Sequence, residues 1–195
     1  EVTITPPSVL FQGVKADGTA VPICTAADWV EYPHVTGHLE PMVLVTIVAP
    51  ATYRGDIIQL CQDRRGVQMD IQYVGADRVS LQYVLPLNEI VQTFYDRLKS
   101  MTSGYASMEY EDAGYEPADL VKVDLLLNGN PVDCMSAIMH KSKADRYARL
   151  LVSKLKEVLP RQLVDIAIQA TIRKRVIARE TIKQLRKDVT AKCYG

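Results

Sequence analysis

Two hydrophobic rhythms run along the chain. Apolar residues at every second position predict strands, and apolar residues at every third or fourth predict helices. Residues 1–11 alternate (Val2, Ile4, then Val9 and Leu10) and predict a strand. Residues 12–38 predict a loop-rich connector, punctuated by Gly13, Asp17-Gly18, Pro22, Pro33 and Gly37. From Glu40 the pattern becomes regular. Met42–Val48 is β-rich, and Pro50 ends it. Ala51–Arg65 sets Tyr53, Ile57, Ile58, Leu60 and Cys61 at near-helical spacing, with Gly66 as a C-cap. Val67–Val74 and Arg78–Leu85 form a hairpin about Gly75-Ala76-Asp77. Leu87–Met101 is helical, and Tyr105–Tyr110 is a strand. The order β-α-β-β-α-β is the split βαβ, ferredoxin-like motif, so the fold class is α+β.

A second unit begins near Leu120, after a linker at Asp112–Asp119. Leu120–Leu127 is a strand, Asn128-Gly129-Asn130 a turn, and Val132–Met139 a second strand. Lys143–Leu159 is an amphipathic helix, stopped by Pro160. Leu163–Ile172 and Val176-Ile177 flank a basic turn, and Arg179–Lys192 predicts a last, basic helix. There is no internal repeat and no low-complexity segment.

Charge changes this picture. The 195 residues carry 23 Lys+Arg and 23 Asp+Glu, a net charge of zero. Residues 1–140, however, hold 8 Lys/Arg against 18 Asp/Glu, and residues 141–195 hold 15 against 5. A balance of −10 is followed by one of +10 in the last 55 residues, which points to a polyanion, nucleic acid or an anionic membrane. Arg173-Lys174-Arg175 forms the basic turn. On a helix, Arg179, Lys183, Arg186 and Lys187 would fall in one stripe. Stripe and turn together match phosphate spacing along a nucleic-acid backbone. Tyr147 and Tyr194 are the few aromatic residues near them, so shape and phosphate recognition of folded RNA fits better than stacking of single-stranded bases. For a membrane, Ile182, Leu185 and Val189 make only a thin stripe without a Trp or Phe anchor. Arg64-Arg65-Gly66 and Ser103-Gly104-Tyr105 are expected to share one exposed corner, fit for an RNA or protein contact.

Other chemistry is thinly represented. No apolar run approaches the ~20 residues that span a bilayer, and EVTITPPSVLF lacks the pattern of a signal peptide. Cys24, Cys61, Cys134 and Cys193 are far apart with no CxxC, the pattern of free thiols in a reducing compartment. His34 and His38 are four apart beside Glu31 and Glu40, but Pro33 and Gly37 oppose the helix a metal site would need. Cys134 and His140 offer a nucleophile and a base, the core of an alternative reading as an α+β enzyme or small-molecule sensor; no third partner stands in a recognisable frame. No P-loop, GxSxG or GxGxxG occurs.

The stretches CQDRRGVQ (61–68), LPLNEIVQTFYDRLKSMTSGYASMEYEDAGY (85–115), DLVKVDLLLNGNPVD (119–133), LKEVLPRQLVDIAIQA (155–170) and IARETIKQLRKDVTAKCYG (177–195) resemble the C-terminal half of LepA, elongation factor 4. This family comprises ribosome-dependent translational GTPases related to elongation factor G. The wording FYDRLKS and EDAGY is nearer its mitochondrial members. The resemblance implies three segments. Residues 1–39 would close a preceding β domain, residues 40–116 would be a ferredoxin-like domain like domain V of elongation factor G, and residues 117–195 would be the basic LepA-type α/β C-terminal domain.

It also implies roles. GTP and Mg would belong to a GTPase domain outside this chain, leaving no catalysis, cofactor, metal or small-molecule substrate here. Arg64, Arg65, Gly66, Ser103, Gly104 and Tyr105 would face rRNA near the ribosomal GTPase centre. His140, Lys141, Arg173, Lys174, Arg175, Arg179, Lys183, Arg186, Lys187 and Lys192 would meet tRNA. The setting would be the mitochondrial matrix, with peripheral inner-membrane association, or alternatively the bacterial cytoplasm. Two departures stand out. The family usually has Gly where this chain has Arg173, which predicts a wider turn here. The family pattern also runs on past Gly195 into a Lys-rich tail.

Overall fold

The structure, a computed structural model, describes Val2 and residues 7–185. Two compact units divide between Ala118 and Asp119.

In the first unit β3 (Gly37–Pro50) is the organising strand. Its alternation sends Val43, Val45, Ile47 and Ala49 into the core, as period-two side chains require. β3 pairs antiparallel with β5 (Arg78–Pro86) on one side and β6 (Ser107–Ala118) on the other, and β4 (Val67–Val74) extends the sheet beyond β5. Helix α1 (Arg54–Asp63) follows β3; α2 (Leu87–Ile90) and α3 (Phe94–Met101) follow β5. Ile57, Leu60, Cys61, Phe94 and Leu98 from these helices join the sheet's core. The strand order β6-β3-β5-β4 is that of the ferredoxin-like fold.

Three expectations need correction here. The connector at 12–38 contains a hairpin, β1 (Phe11–Val14) and β2 (Ala20–Ile23), and β1 pairs with the first residues of β3. The turn is set by Gly18 at φ 85° and by Asp17, whose carboxylate accepts the Thr19 N–H. Of the strand predicted over residues 1–11, residues 1 and 3–6 lie outside the described residues, and among the rest only Phe11 is in a strand. The predicted linker at Asp112–Asp119 is mostly strand: β6 runs through to Ala118. Pro41 in β3 has no N–H to give the ladder, and the register shifts there, from Pro41 opposite Tyr115 to Val43 opposite Asp112. Gly114, at φ 80°, accommodates this bulge. The single helix expected over Leu87–Met101 is split at Val91–Thr93, where two β-branched residues hold the chain poorly in a helix and Arg64 donates to the Thr93 hydroxyl at 3.1 Å.

Both longer helices end in a Schellman motif. After α1, Gly66 N–H donates to Cys61 O (2.8 Å) and Arg65 N–H to Gln62 O (3.1 Å). After α3, Gly104 N–H donates to Lys99 O (2.8 Å) and Ser103 N–H to Ser100 O (3.3 Å). The first left-handed residue is Arg65 (φ 61°) in one motif and Ser103 (φ 52°) in the other, neither a glycine; Gly104 follows Ser103 at φ 83°.

The second unit is an antiparallel sheet with one covering helix. β7 (Leu120–Leu127) pairs with β10 (Ile166–Ile172) on one side; β8 (Asn130–Pro131) and β9 (Ala137–His140) also pair with it, and β11 (Arg175–Ile182) lies beyond β10. Helix α4 (Lys141–Val158) buries Ala144, Ala148 and Val152, spaced at i, i+4 and i+8, on Val123, Leu125, Ile168 and Ala170.

The first core yields two predictions. A Cβ on Gly66 would lie 2.8 Å from both Cys61 O and Leu85 Cδ2, so Gly66→Ala should cost about 1–3 kcal/mol, read by urea denaturation. Burial pushes the Cys61 thiol up to about 12 from its ordinary 9.0. The unfolded chain then releases this proton first, so stability should fall as pH rises from about 9 towards 12. Thermal melts across that range should show a steeper loss in the parent chain than in Cys61→Ala.

Candidate nucleic-acid interface

The topology of the second unit gathers cations at one end. β9 pairs antiparallel with β7 and sets His140 opposite Leu120. α4 starts immediately there: Lys141 N–H donates to Asp119 O at 2.9 Å, and His140 Nδ1 caps the helix by accepting the Ser142 N–H at 3.2 Å. β10 runs back along β7 with Thr171 opposite Asp124, so the turn after Ile172 points to this same end. Lys141, Lys143 and Arg146 of α4 therefore share an end of the unit with Arg173, Lys174 and Arg175. Sequence reasoning missed Lys143 and Arg146 as members of this group. Their spacing from the inward Ala144 and Ala148 was the signal available.

The turn is tight, correcting the expectation that it is wider. Ile172 faces Arg175 directly, and Arg173 (φ 48°) and Lys174 (φ 65°) are both left-handed. That is the two-residue type I′ hairpin, which ordinarily takes Asn-Gly. Each non-glycine residue so held costs on the order of 1 kcal/mol.

The predicted stripe does not form. Arg179 lies in strand β11 opposite Gln169, not on a helix. Its neighbour Glu180 turns to the helix-covered face and binds Lys156 of α4 at 2.8 Å, which leaves Arg179 on the other face. Lys183 follows the strand at the far end, 3.7 Å from Asp165. Pairing of Ile182 with Ile166 buries Ile182 and makes a strand of Arg179–Ile182, the start of the segment expected to be helical. Arg186, Lys187, Lys192 and Cys193 lie outside the described residues.

The first unit's two motifs do not share a corner. α1 and α3 leave opposite ends of the sheet, since Met42 of β3 faces Pro86 and Pro50 faces Arg78. Arg64-Arg65-Gly66 therefore sits by Glu40 at the start of β3, while Ser103-Gly104-Tyr105 leads into Ser107, opposite Val48. The two groups differ in chemistry as well. Arg65 makes two parallel 2.9 Å bonds to the Glu40 carboxylate, and its Nε, buried without a hydrogen bond, lies 3.7 Å from Glu89. Arg64 is 3.6 Å from Glu89. The Glu40 side chain is only 5% exposed, so the bidentate pair is a structural tie. Tyr105, by contrast, is 68% exposed, and nothing lies within 4 Å of a Cβ placed on Gly104.

Neither alternative chemistry is assembled. Cys134 is exposed in a short 3-10 turn before β9, whereas His140 closes β9 and caps α4. His38 stacks on Trp29, with ring centroids 4.2 Å apart, and its Nε2 lies 2.8 Å from Val30 O. Among the described residues no group of three or more His, Cys, Asp or Glu is placed to hold a metal ion. No described helix is long and apolar enough to cross a membrane.

Comparison with known proteins places this architecture. Residues 37–126 match a family model described as elongation factor G C-terminus. Residues 127–195 match one described as GTP-binding protein LepA C-terminus. The chain belongs to the LepA, or elongation factor 4, family, and forms the C-terminal part of such a protein. It is 49% identical over 201 residues to the mitochondrial translation factor GUF1 homolog of Trichoplax adhaerens, covering 100% of this chain and 30% of that protein. It is 50% identical over 191 residues to elongation factor 4 of Cutibacterium acnes, covering 98% and 31%. The chain thus spans nearer a third than a half of these relatives. A crystal structure from Thermus thermophilus matches 42% of this chain and 12% of its own at 24% identity with a TM-score of 0.39, an overlap too small to bear on the fold.

The tie between β3 and α1 yields a test. Glu40→Gln should destabilise the chain by about 2–4 kcal/mol, because it removes the bidentate carboxylate and leaves the part-buried Arg65 guanidinium with only the 3.7 Å contact to Glu89. Lys183→Ala, which removes an exposed ion pair, should change stability by less than about 0.5 kcal/mol. Chemical denaturation of both variants checks the contrast.

Proposed function

We propose that this chain is the ribosome- and tRNA-binding portion of an elongation factor 4, remodelling translation by back-translocation or fidelity control in a GTP-dependent manner. GTP and Mg would be handled by a domain outside the chain. The observation that carries this reading is the cationic end of the second unit, where α4 and the 173–174 turn converge. Such an end suits the phosphates of a folded RNA, with His140, Lys141, Lys143, Arg146, Arg173, Lys174 and Arg175 around it. Arg179 would contribute from the outer sheet face. Lys183 is tied to Asp165 at the far end and contributes least.

In the first unit, the Ser103-Gly104-Tyr105 end is the better candidate for rRNA near the ribosomal GTPase centre. The backbone at Gly104 is open to close approach, and the Tyr105 ring is available to stack. Arg64 and Arg65, already matched to Glu40 and Glu89, position Gly66 and the start of β4. The preceding acidic surface would discourage indiscriminate RNA binding. The setting would be the mitochondrial matrix or, alternatively, the bacterial cytoplasm, a reading supported by relatives of both kinds; peripheral association with the inner membrane would rest on the same cations.

Binding of the chain to ribosomes carrying tRNA, measured at two salt concentrations, tests the reading. The Lys141→Ala/Lys143→Ala/Arg146→Ala variant should lower the slope of log K against log salt by about 2. Equal binding by parent and variant at both salts would refute it.

A further inference from the structure

Asn128-Gly129 joins β7 to β8 in an exposed two-residue turn. Leu127 pairs with Asn130 across it, and both central residues are left-handed, Asn128 at φ 50° and Gly129 at φ 79°. This is the type I′ hairpin with the residues it prefers. The same dipeptide opens an asparagine amide to attack by the backbone nitrogen that follows it. Gly129 has no side chain to shield that nitrogen, and nothing lies within 4 Å of where a Cβ would stand. The chain's other two asparagines lack this chemistry. Pro131 follows Asn130 and has no N–H to lose, and Asn88 is held in helix α2 with Glu89, not a glycine, after it.

The fold keeps the Asn128 amide occupied elsewhere. Its Oδ1 accepts the Ala167 N–H at 2.8 Å, while the Asn128 N–H donates to Ala167 O at 2.9 Å. Side chain and backbone are thus both bound to β10, and closing a ring onto Gly129 requires Asn128 to leave that partner and its left-handed conformation. The element that must open is short. β8 contributes two ladder residues, and beyond it Val132 donates its N–H to Leu125 O at 2.9 Å and packs, half-buried, on the unit's core. Opening of such an element costs less than unfolding the whole unit.

We infer that Asn128 is a deamidation site whose rate is set by opening of the β7–β8 hairpin. In the opened turn the Gly129 nitrogen gives up its proton and bonds to Asn128 Cγ, and the side-chain nitrogen leaves as ammonia. Water then opens the resulting imide at one carbonyl or the other, giving aspartate or isoaspartate; water is the sole co-reactant. Aspartate still offers an oxygen to the Ala167 N–H and keeps the turn. Isoaspartate lengthens the backbone by a methylene, so Leu127 and Asn130 no longer close a two-residue hairpin. Either product adds a negative charge at this end of the sheet.

The test follows conversion at Asn128 by peptide mass spectrometry, at one mildly alkaline pH, in the full chain and in Val132→Ala, each in buffer and in concentrated guanidinium chloride. The parent should convert at least about tenfold more slowly in buffer than in denaturant. Val132→Ala, shown to be folded by its thermal melt, should convert about threefold or more faster than the parent in buffer, because trimming this side chain loosens the return strand. In denaturant the two chains should react at the same rate. Asn128→Asp should melt within about 4 °C of the parent. Absence of conversion at Asn128 in denaturant would overturn the site. Equal rates for the parent in buffer and in denaturant would overturn the control by folding, and Val132→Ala converting at the parent's rate in buffer would overturn hairpin opening as the controlling step. A larger loss of melting temperature in Asn128→Asp would overturn the claim that aspartate keeps the turn.

Discussion

The register of the β10–β11 hairpin decides where the charge of this chain goes. Ile182 lies opposite Ile166 and Arg175 opposite Ile172. From those pairings follow the left-handed turn at 173–174, the outward face of Arg179, the inward Glu180 that meets Lys156, and the separation of Lys183 from the basic end. A slip by one residue would alter the turn and exchange the faces of Arg179 and Glu180. The register is held by apolar burial, since Ile168, Ala170 and Ile182 all lie in the core under α4. Hydrophobic packing on one face of the sheet thereby fixes the electrostatics at its end.

The first unit uses charge in a different way. Its ferredoxin-like sheet is held by the buried run along β3, and a part-buried cluster, Arg65 with Glu40 and Glu89 and Arg64 with Glu89, ties the end of α1 to the start of that strand. Arginines there serve the fold. Several arginines and lysines of the second unit gather instead at one end of its sheet, where α4 starts and the 173–174 turn lies. The opposite net charges of the two segments thus reflect different uses, not only different composition.

Much of this was legible in the sequence. The alternation of β3, the hairpin of β4 and β5, and the amphipathic stripe of α4 are local patterns, and each formed as its periodicity requires. The errors came where pairing between distant segments overrode local signals. Asp112-Ala113-Gly114 looks like a loop, yet it is a bulge imposed by Pro41 some seventy residues earlier. Arg179 and Lys183 have helical spacing, yet β10 takes Arg179–Ile182 as a strand. Phe11–Val14 is too short and too glycine-broken to announce itself without β3 beside it. For the candidate site, the basic turn was visible as a charge run. Its conformation was not, because nothing in Arg-Lys suggests a type I′ turn; nor was the convergence of α4 upon it, which depends on the order of strands.

The most direct measurement of the central claim is protection of individual lysines from acylation, read by mass spectrometry on the chain with and without tRNA-loaded ribosomes. The account predicts protection of Lys141, Lys143 and Lys174, with Lys154 and Lys183 labelled as in the free chain. Protection centred on Lys154 and Lys183, with Lys174 still labelled, would contradict it.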